Sequence, residues 1–196
     1  YTDKYGRNGL RAGNIFDADF NSRYGLLKKE HLRLIRDLGF DTGSHLLDSL
    51  PFDRYEEKWF DAVGRMKNLK IVDSEIFLNR SLDKGMSVLA EGAQGTMLDV
   101  DFGSYPFVTS SNTISAGVCS GLGISPHRIG KVYGIFKAYC TRVGSGPFPT
   151  ELNDPDGEKM RAGGNEYGAT TGRPRRCGWL DLPALKYSIM LSGVDS

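Results

Sequence analysis

Cysteine is scarce. Three occur in 196 residues, Cys119, Cys140 and Cys177, with no C-x-x-C among them. Their odd number and wide spacing argue against a disulfide framework, and His31, His45 and His127 lack the spacing of a zinc site. Reduced thiols in a cytoplasmic protein are the simpler reading. An excess of charge of one sign is also lacking. Lys and Arg number 25 against 24 Asp and Glu, a net +1. No global field therefore points to nucleic acid or a membrane surface. No apolar run approaches the roughly 20 residues that span a bilayer. No signal peptide is expected at Tyr1. A G-x-x-x-x-G-K-[ST] phosphate loop is missing, and no Ser-His-Asp or Cys-His arrangement stands out.

What is present is glycine, 25 residues clustered in polar loops rather than in repeats. With 39% hydrophobic and 25% charged residues, the composition is that of an ordinary globular protein. The length suits one domain or two, and the reading adopted is a single-domain piece, 1–196. Both ends look cut. The chain opens at Tyr1 on a basic stretch, and it stops just after a helical pattern.

Along the chain, residues 21–38 are predicted as an amphipathic helix closed by Gly39, with His31 on its flank in no chemical role. Asp53 is predicted to cap the next helix, whose face carries Trp59, Ala62, Val63 and Met66. Residues 71–72 read as a short extended piece. Asp73 or Ser74 then caps a helix through Lys84, ended by Gly85. Residues 88–90 read as a buried central strand, 115–123 as the start of a short helix, and 131–141 as a second strand. A strong turn signal lies at 153–157, and a closing helix at 181–191. Strands alternating with helices point to an α/β sheet.

Two loops concentrate chemistry. After the apolar run 88–90 comes EGAQGT, residues 91–96, where glycines let backbone approach a ligand. Gln94 and Thr96 add polar groups at the carboxyl end of a strand, where open α/β sheets bind ligands. Asp99, Asp101, Ser104 and the residues 109–113 come next, with apolar residues between them. The second loop, GNEYGATTGRPRR (164–176), sets Thr170 and Thr171 beside Arg173, Arg175 and Arg176. Those arginines supply planar forks for carboxylate or phosphate. A Gly-rich connection and a solvated basic loop are the plain alternatives.

These loops closely resemble the adenylosuccinate synthetase family. The resemblance is carried by Y-x-x-K-x-x-R-x-G-L-R from Tyr1 to Arg11, EGAQGT at 91–96 and YPFVTSSN at 105–112. It continues with TRVGSGPFPTE at 141–151 and GNEYGATTGR at 164–173. Five stretches in the right order cover the chain, while 21–85 matches only in its helical pattern.

The resemblance implies a ligase joining L-aspartate to inosine monophosphate at the expense of GTP, with Mg²⁺, on part of a P-loop-NTPase-like sheet flanked by helices. Gln94 would contact the purine at its reacting position, in a supporting catalytic role. Leu98 would be an apolar neighbour of the nucleotide, Thr109 a phosphate ligand and Val143 a backbone contact near the ribose. Ala169, Thr170, Thr171, Gly172, Arg173 and Arg175 would form a mobile loop gripping aspartate. Thr171 and Arg173 would contact the carboxylates, Arg173 would also lie near inosine monophosphate, and Arg175 would bridge aspartate and GTP. Arg7 would reach the partner's nucleotide site in a homodimer. Pro174 departs from the family, which shows Arg there.

The resemblance also puts the glycine-rich phosphate loop, the catalytic aspartate and histidine and the Mg²⁺ ligands outside this chain, and the guanine-reading Lys-x-Asp after Ser196. The piece alone is then expected to be inactive. A non-catalytic nucleotide- or anion-binding domain is the alternative. An interaction module built on Arg7 and the basic loop has weaker support.

Overall fold

The computed structural model describes residues 2–170 and 172–196. They gather into two compact units, one reaching Asp73 and the other running from Ser74 to Ser196.

The first unit is helical. A short helix α1, Thr2–Gly6, precedes a 3₁₀ turn, Ala12–Phe16. Helix α2, Phe20–Asp37, matches the predicted span to within a residue. It ends where Gly39 takes φ +76°, a left-handed conformation that glycine adopts without penalty. Helix α3, Phe52–Met66, starts after Pro51. Asp53 is therefore inside the first turn rather than at the cap. There its charge still favours the positive end of the helix dipole.

The core of this unit is Ile15, Phe20 and Val63, with Leu10, Phe60 and Ile71 packed around it. Of the predicted face of α3, only Val63 is buried. Trp59 instead stacks on Tyr24, ring centres 4.9 Å apart, and on Phe20 at 6.2 Å. Tyr24 Oη and Lys28 Nζ both donate to the Glu56 carboxylate, at 2.8 and 2.6 Å, tying α2 to α3. Residues 71–72 join no strand.

The second unit mixes helix and strand. Helix α4, Ser74–Asp83, ends before Gly85 as predicted. Helix α5 is Gly117–Leu122, and strand β1 is Cys140–Arg142. Helix α6, Pro155–Gly163, occupies the predicted turn. Asp154 caps it, accepting from Asp156 N and Gly157 N at 3.0 and 3.1 Å, and Pro155 occupies the first turn. Asp-Pro thus initiates a helix here, because proline's fixed φ suits that position. Strand β2, Arg176–Gly178, pairs antiparallel with β1, Cys140 opposite Gly178 and Arg142 opposite Arg176. Helix α7, Leu182–Ser192, is capped by Asp181, which accepts from Ala184 N at 2.9 Å.

The predicted sheet is not found. Among the described residues the only sheet has two strands, β1 and β2. The apolar run 88–90 joins no strand, and Leu89 is 91% exposed. Of the predicted strand 131–141, only its end is in β1, and Ile135 is 98% exposed. The reason is that an extended segment becomes a strand only when another backbone meets its amides and carbonyls. Both runs have strand composition without a facing strand among the described residues. A minor partner does occur at Val132, whose carbonyl accepts from Asp195 N at 2.9 Å.

The packing of the first unit yields a prediction. Phe20→Ala should destabilise it by about 3–5 kcal/mol, the usual range for emptying a buried phenylalanine site. Denaturant unfolding monitored by Trp59 fluorescence reads this directly, since Phe20 stacks on that indole. A change below about 1 kcal/mol would remove Phe20 from the core.

Candidate functional site

The first loop is organised by a carboxylate. Asp99 is fully buried. Its Oδ1 accepts from Asp101 N and Phe102 N, at 3.0 and 3.1 Å. Its Oδ2 accepts from Thr113 N and Ile114 N, at 2.6 and 3.4 Å. Burial pushes its pKa up, but the backbone amides outweigh burial and hold it below the usual carboxylate range.

Two segments far apart in sequence are thereby laid side by side. Thr109 donates its amide to Leu98 O at 2.8 Å and its hydroxyl to the same oxygen at 2.9 Å. Thr113 Oγ1 donates to Gly95 O at 2.8 Å. Gln94, Leu98 and Thr109 are thus collected in one place. Gln94 has φ +67°, a left-handed conformation that costs a non-glycine residue on the order of 1–3 kcal/mol and tends to occur at ligand sites. Ser111 Oγ donates to Gln94 Oε1 at 3.1 Å, and Thr109 Oγ1 lies 3.0 Å from Ser111 Oγ. Gln94 therefore has its amide oxygen engaged and its nitrogen remaining as a donor.

Val143 comes directly after β1, on an exposed loop that two arginines hold. Arg142 Nη1 donates to Ser104 Oγ at 3.2 Å and Nη2 to Phe107 O at 3.0 Å, joining this loop to the segment before Thr109. Arg176 Nη1 donates to Gly144 O and Gly146 O, at 3.1 and 2.9 Å. Its Nε bonds Glu151 Oε1 at 2.7 Å, and Nη2 bonds the other carboxylate oxygen. The sequence predicts Arg176 as a fork for a ligand anion. Its fork is occupied by Glu151 instead, because β2 turns it toward the neighbouring loop.

The second loop is the tip of a hairpin. Tyr167 bridges Pro174, Gly168 N donates to Arg173 O at 2.9 Å, and Arg175 N donates to Glu166 O at 2.9 Å. Ala169, Thr170, Gly172 and Arg173 sit at the tip, while Thr171 lies outside the described residues. Arg175 is at the neck. Its Nη1 donates to Glu166 Oε2 at 2.9 Å, and its buried Nε meets no acceptor among the described residues.

Glu166 is 3% exposed. Its Oε1 also accepts from Lys137 Nζ at 2.5 Å and Tyr139 Oη at 2.6 Å. Burial would raise its pKa, but these donors together hold it below the usual range. Arg7 belongs to the first unit, where it sits exposed just after α1 with φ +59°. Tyr1, in the same motif, lies outside the described residues.

Sequence patterns assign no role to Ser111, Arg142, Glu151 or Glu166. No spacing rule finds them, since Glu166 and Tyr139, for example, are 27 positions apart. Among the described residues, no group of three or more His, Cys, Asp or Glu could hold a metal ion. No helix of the described residues is long and apolar enough to cross a membrane. All three cysteines are free, and burial pushes the Cys177 thiol's pKa up.

The chain has known counterparts. The family model for adenylosuccinate synthetase matches residues 1–196. The chain belongs to the adenylosuccinate synthetase family. It is 55% identical over 195 residues to an adenylosuccinate synthetase of Cytophaga hutchinsonii, covering all of this chain and 44% of that protein. One from Phocaeicola vulgatus is 57% identical over 194 residues, covering 99% and 44%. The solved structure of fully ligated adenylosuccinate synthetase from Plasmodium falciparum matches with TM-score 0.87 and 40% identity, over all of this chain and 44% of that one. Cyanophage S-2L succinoaminodeoxyadenylate synthetase, bound to dGMP and dATP, matches with TM-score 0.54 and 29% identity over 64% of this chain and 38% of its own. The chain thus spans less than half the length of the adenylosuccinate synthetases it matches.

The Asp99 geometry carries a prediction of its own. A carboxylate whose folded pKa is depressed contributes stability above its unfolded value, about 3.9, and that contribution is lost as pH falls through the folded value. Asp99→Asn turns an amide nitrogen toward backbone donors, at about 1–3 kcal/mol for each donor left unsatisfied. The penalty, measured by urea unfolding, should be full at pH 7 and should shrink below about pH 4. A pH-independent penalty would show that charge at Asp99 is not what holds the loop.

Proposed function

We propose that this chain is the central part of a GTP-dependent ligase that joins L-aspartate to inosine monophosphate, releasing adenylosuccinate, GDP and phosphate. The observation that carries this reading is the family match, which runs through every loop of the chain. In this reading the terminal phosphoryl group of GTP passes to the purine carbonyl oxygen, and the aspartate amine then displaces phosphate. The Gln94 amide nitrogen donates to the purine as charge develops there. That role agrees with an amide whose oxygen is already engaged by Ser111. Thr109 meets the nucleotide phosphate, Leu98 packs beside the nucleotide, and the Val143 backbone lies near the ribose.

Ala169, Thr170, Thr171, Gly172 and Arg173 close on aspartate, with Arg173 also near the nucleotide, so that paired forks orient the amine for attack. Arg175 bridges aspartate and GTP. Mg²⁺ would neutralise phosphate charge when bound. By the family resemblance, its protein ligands would come from elsewhere in the protein. The runs 88–90 and 131–141 would belong to strands of a P-loop-NTPase-like sheet completed by the remaining length that the relatives have. The enzyme would be cytoplasmic and homodimeric, with Arg7 reaching the partner subunit's nucleotide site. A non-catalytic nucleotide-binding domain is the second reading, favoured for this chain by itself because no phosphate loop occurs in it.

Two measurements test the reading. The purified chain, given GTP, inosine monophosphate, aspartate and Mg²⁺, should make no adenylosuccinate, because by the family resemblance the phosphate loop for GTP and the catalytic base lie outside it. Turnover would contradict this. In a full-length synthetase carrying this segment, Arg173→Leu should raise the aspartate KM by about tenfold or more, since charge-assisted hydrogen bonds are worth about 1.5–3 kcal/mol each. An unchanged aspartate KM would take Arg173 out of the site.

A further inference from the structure

The neck of the 167–174 hairpin holds a charge cluster in which the ligase reading uses Arg175 but gives Glu166, Lys137 and Tyr139 no role. One carboxylate, Glu166, faces two cations and a phenol. Lys137 and Tyr139 share its Oε1, and Arg175 takes its Oε2. The carboxylate side chain is 4% exposed, against 45% for Lys137 and 32% for Arg175. A carboxylate this deeply buried is costly unless its lone pairs are used, and removing its charge strands its partners. The backbone doubles the link to Arg175, whose amide donates to the Glu166 carbonyl at 2.9 Å. Glu166 N in turn donates to Arg161 O at 2.9 Å, and Arg161 Nε donates to Arg175 O at 2.8 Å, so α6 braces the same neck.

This geometry does two things. It fixes where the Arg175 guanidinium points, because one of its terminal nitrogens is committed to an immobile acceptor. It also ties the hairpin to the 137–139 segment, which leads directly into β1 and the Val143 loop. With two cations against one carboxylate, the cluster keeps net positive charge, so Arg175 stays attractive to an arriving anion.

We propose that Glu166 is a positioning residue for the ligation. It holds Arg175 and the neck of the hairpin so that the exposed tip closes on the dicarboxylate substrate from a fixed base. Glu166 touches no substrate and acts through Arg175, with Lys137 and Tyr139 holding the carboxylate in place. This inference rests on the reading of 169–175 as the aspartate loop.

The test uses a full-length synthetase carrying this segment, with steady-state kinetics for each substrate and thermal melting of each variant. Glu166→Gln keeps the shape and removes the charge. It should raise the aspartate KM by about tenfold or more while the inosine monophosphate KM stays within about twofold. Tyr139→Phe deletes one donor to Oε1 and should raise the aspartate KM by a smaller factor, about two- to fivefold. Arg175→Leu, made in parallel, should raise the aspartate KM, and Glu166→Gln added to it should give little further increase.

An aspartate KM unchanged in Glu166→Gln, while Arg175→Leu raises it, overturns the positioning role and leaves the loop assignment standing. An aspartate KM unchanged in Arg175→Leu itself overturns the loop assignment. A uniform loss across all substrates that tracks a lowered melting temperature makes Glu166 structural only, and so overturns the proposal. If Glu166→Gln does not fold, Tyr139→Phe decides. A selective rise in aspartate KM supports the proposal, and wild-type kinetics reject it.

Discussion

The second unit depends on burying charge rather than hydrocarbon. Asp99 and Cys177 are the largest fully buried side chains described, and Glu166 is almost as deep. A buried carboxylate is tolerable only when donors surround it, and that requirement dictates the local backbone. Around Asp99 the donors are amides from two loop segments, so satisfying one side chain folds 99–102 against 113–114. Around Glu166 they are three side chains from two segments. Each carboxylate acts as a template on which a loop of otherwise weak structure takes one shape.

Two arginines carry that order from loop to loop. Arg142 joins the Val143 loop to Ser104 and Phe107, and Arg176 joins it to the strand after the hairpin. The β1–β2 pairing sets these two like charges opposite each other. Glu151 beside Arg176, and carbonyl oxygens on both, offset that repulsion. The result is a scaffold of short elements and long loops held mainly by polar contacts. The neck of the 167–174 hairpin is braced by Glu166, Arg175 and Arg161.

The first unit belongs to the other regime. Its core is aliphatic and aromatic, its two long helices meet through Trp59, Tyr24 and Phe20, and one ion-pair network at Glu56 sets their register. The chain spans less than half the length of the relatives it matches, and among the described residues Leu89 and Ile135 have strand chemistry without a strand beside them.

Much is legible from residues alone. The helices at 20–37, 74–83 and 182–192 arise from apolar periodicity and from glycine or aspartate at their ends, which are local effects within a few turns. The family is legible because its motifs are contiguous and keep their order. Strands are not, since 88–90 and 131–139 have the right side chains but a ladder needs a second strand, and among the described residues 132–134 meets only the backbone of 195–196. The roles of Asp154 and Pro155 are half legible: an Asp-Pro pair signals a turn or a helix start, and the packing of residues 156–163 decides between them. The partners of Arg175 and Arg176 are beyond reach. Both arginines look alike in sequence, yet one bonds Glu166 at the hairpin neck and the other Glu151 beside β2. Sequence by itself determined which residue types and which local elements were present. Tertiary structure alone decided which charges meet, because the energy of an ion pair depends on distance and burial, and neither is a property of the order of residues.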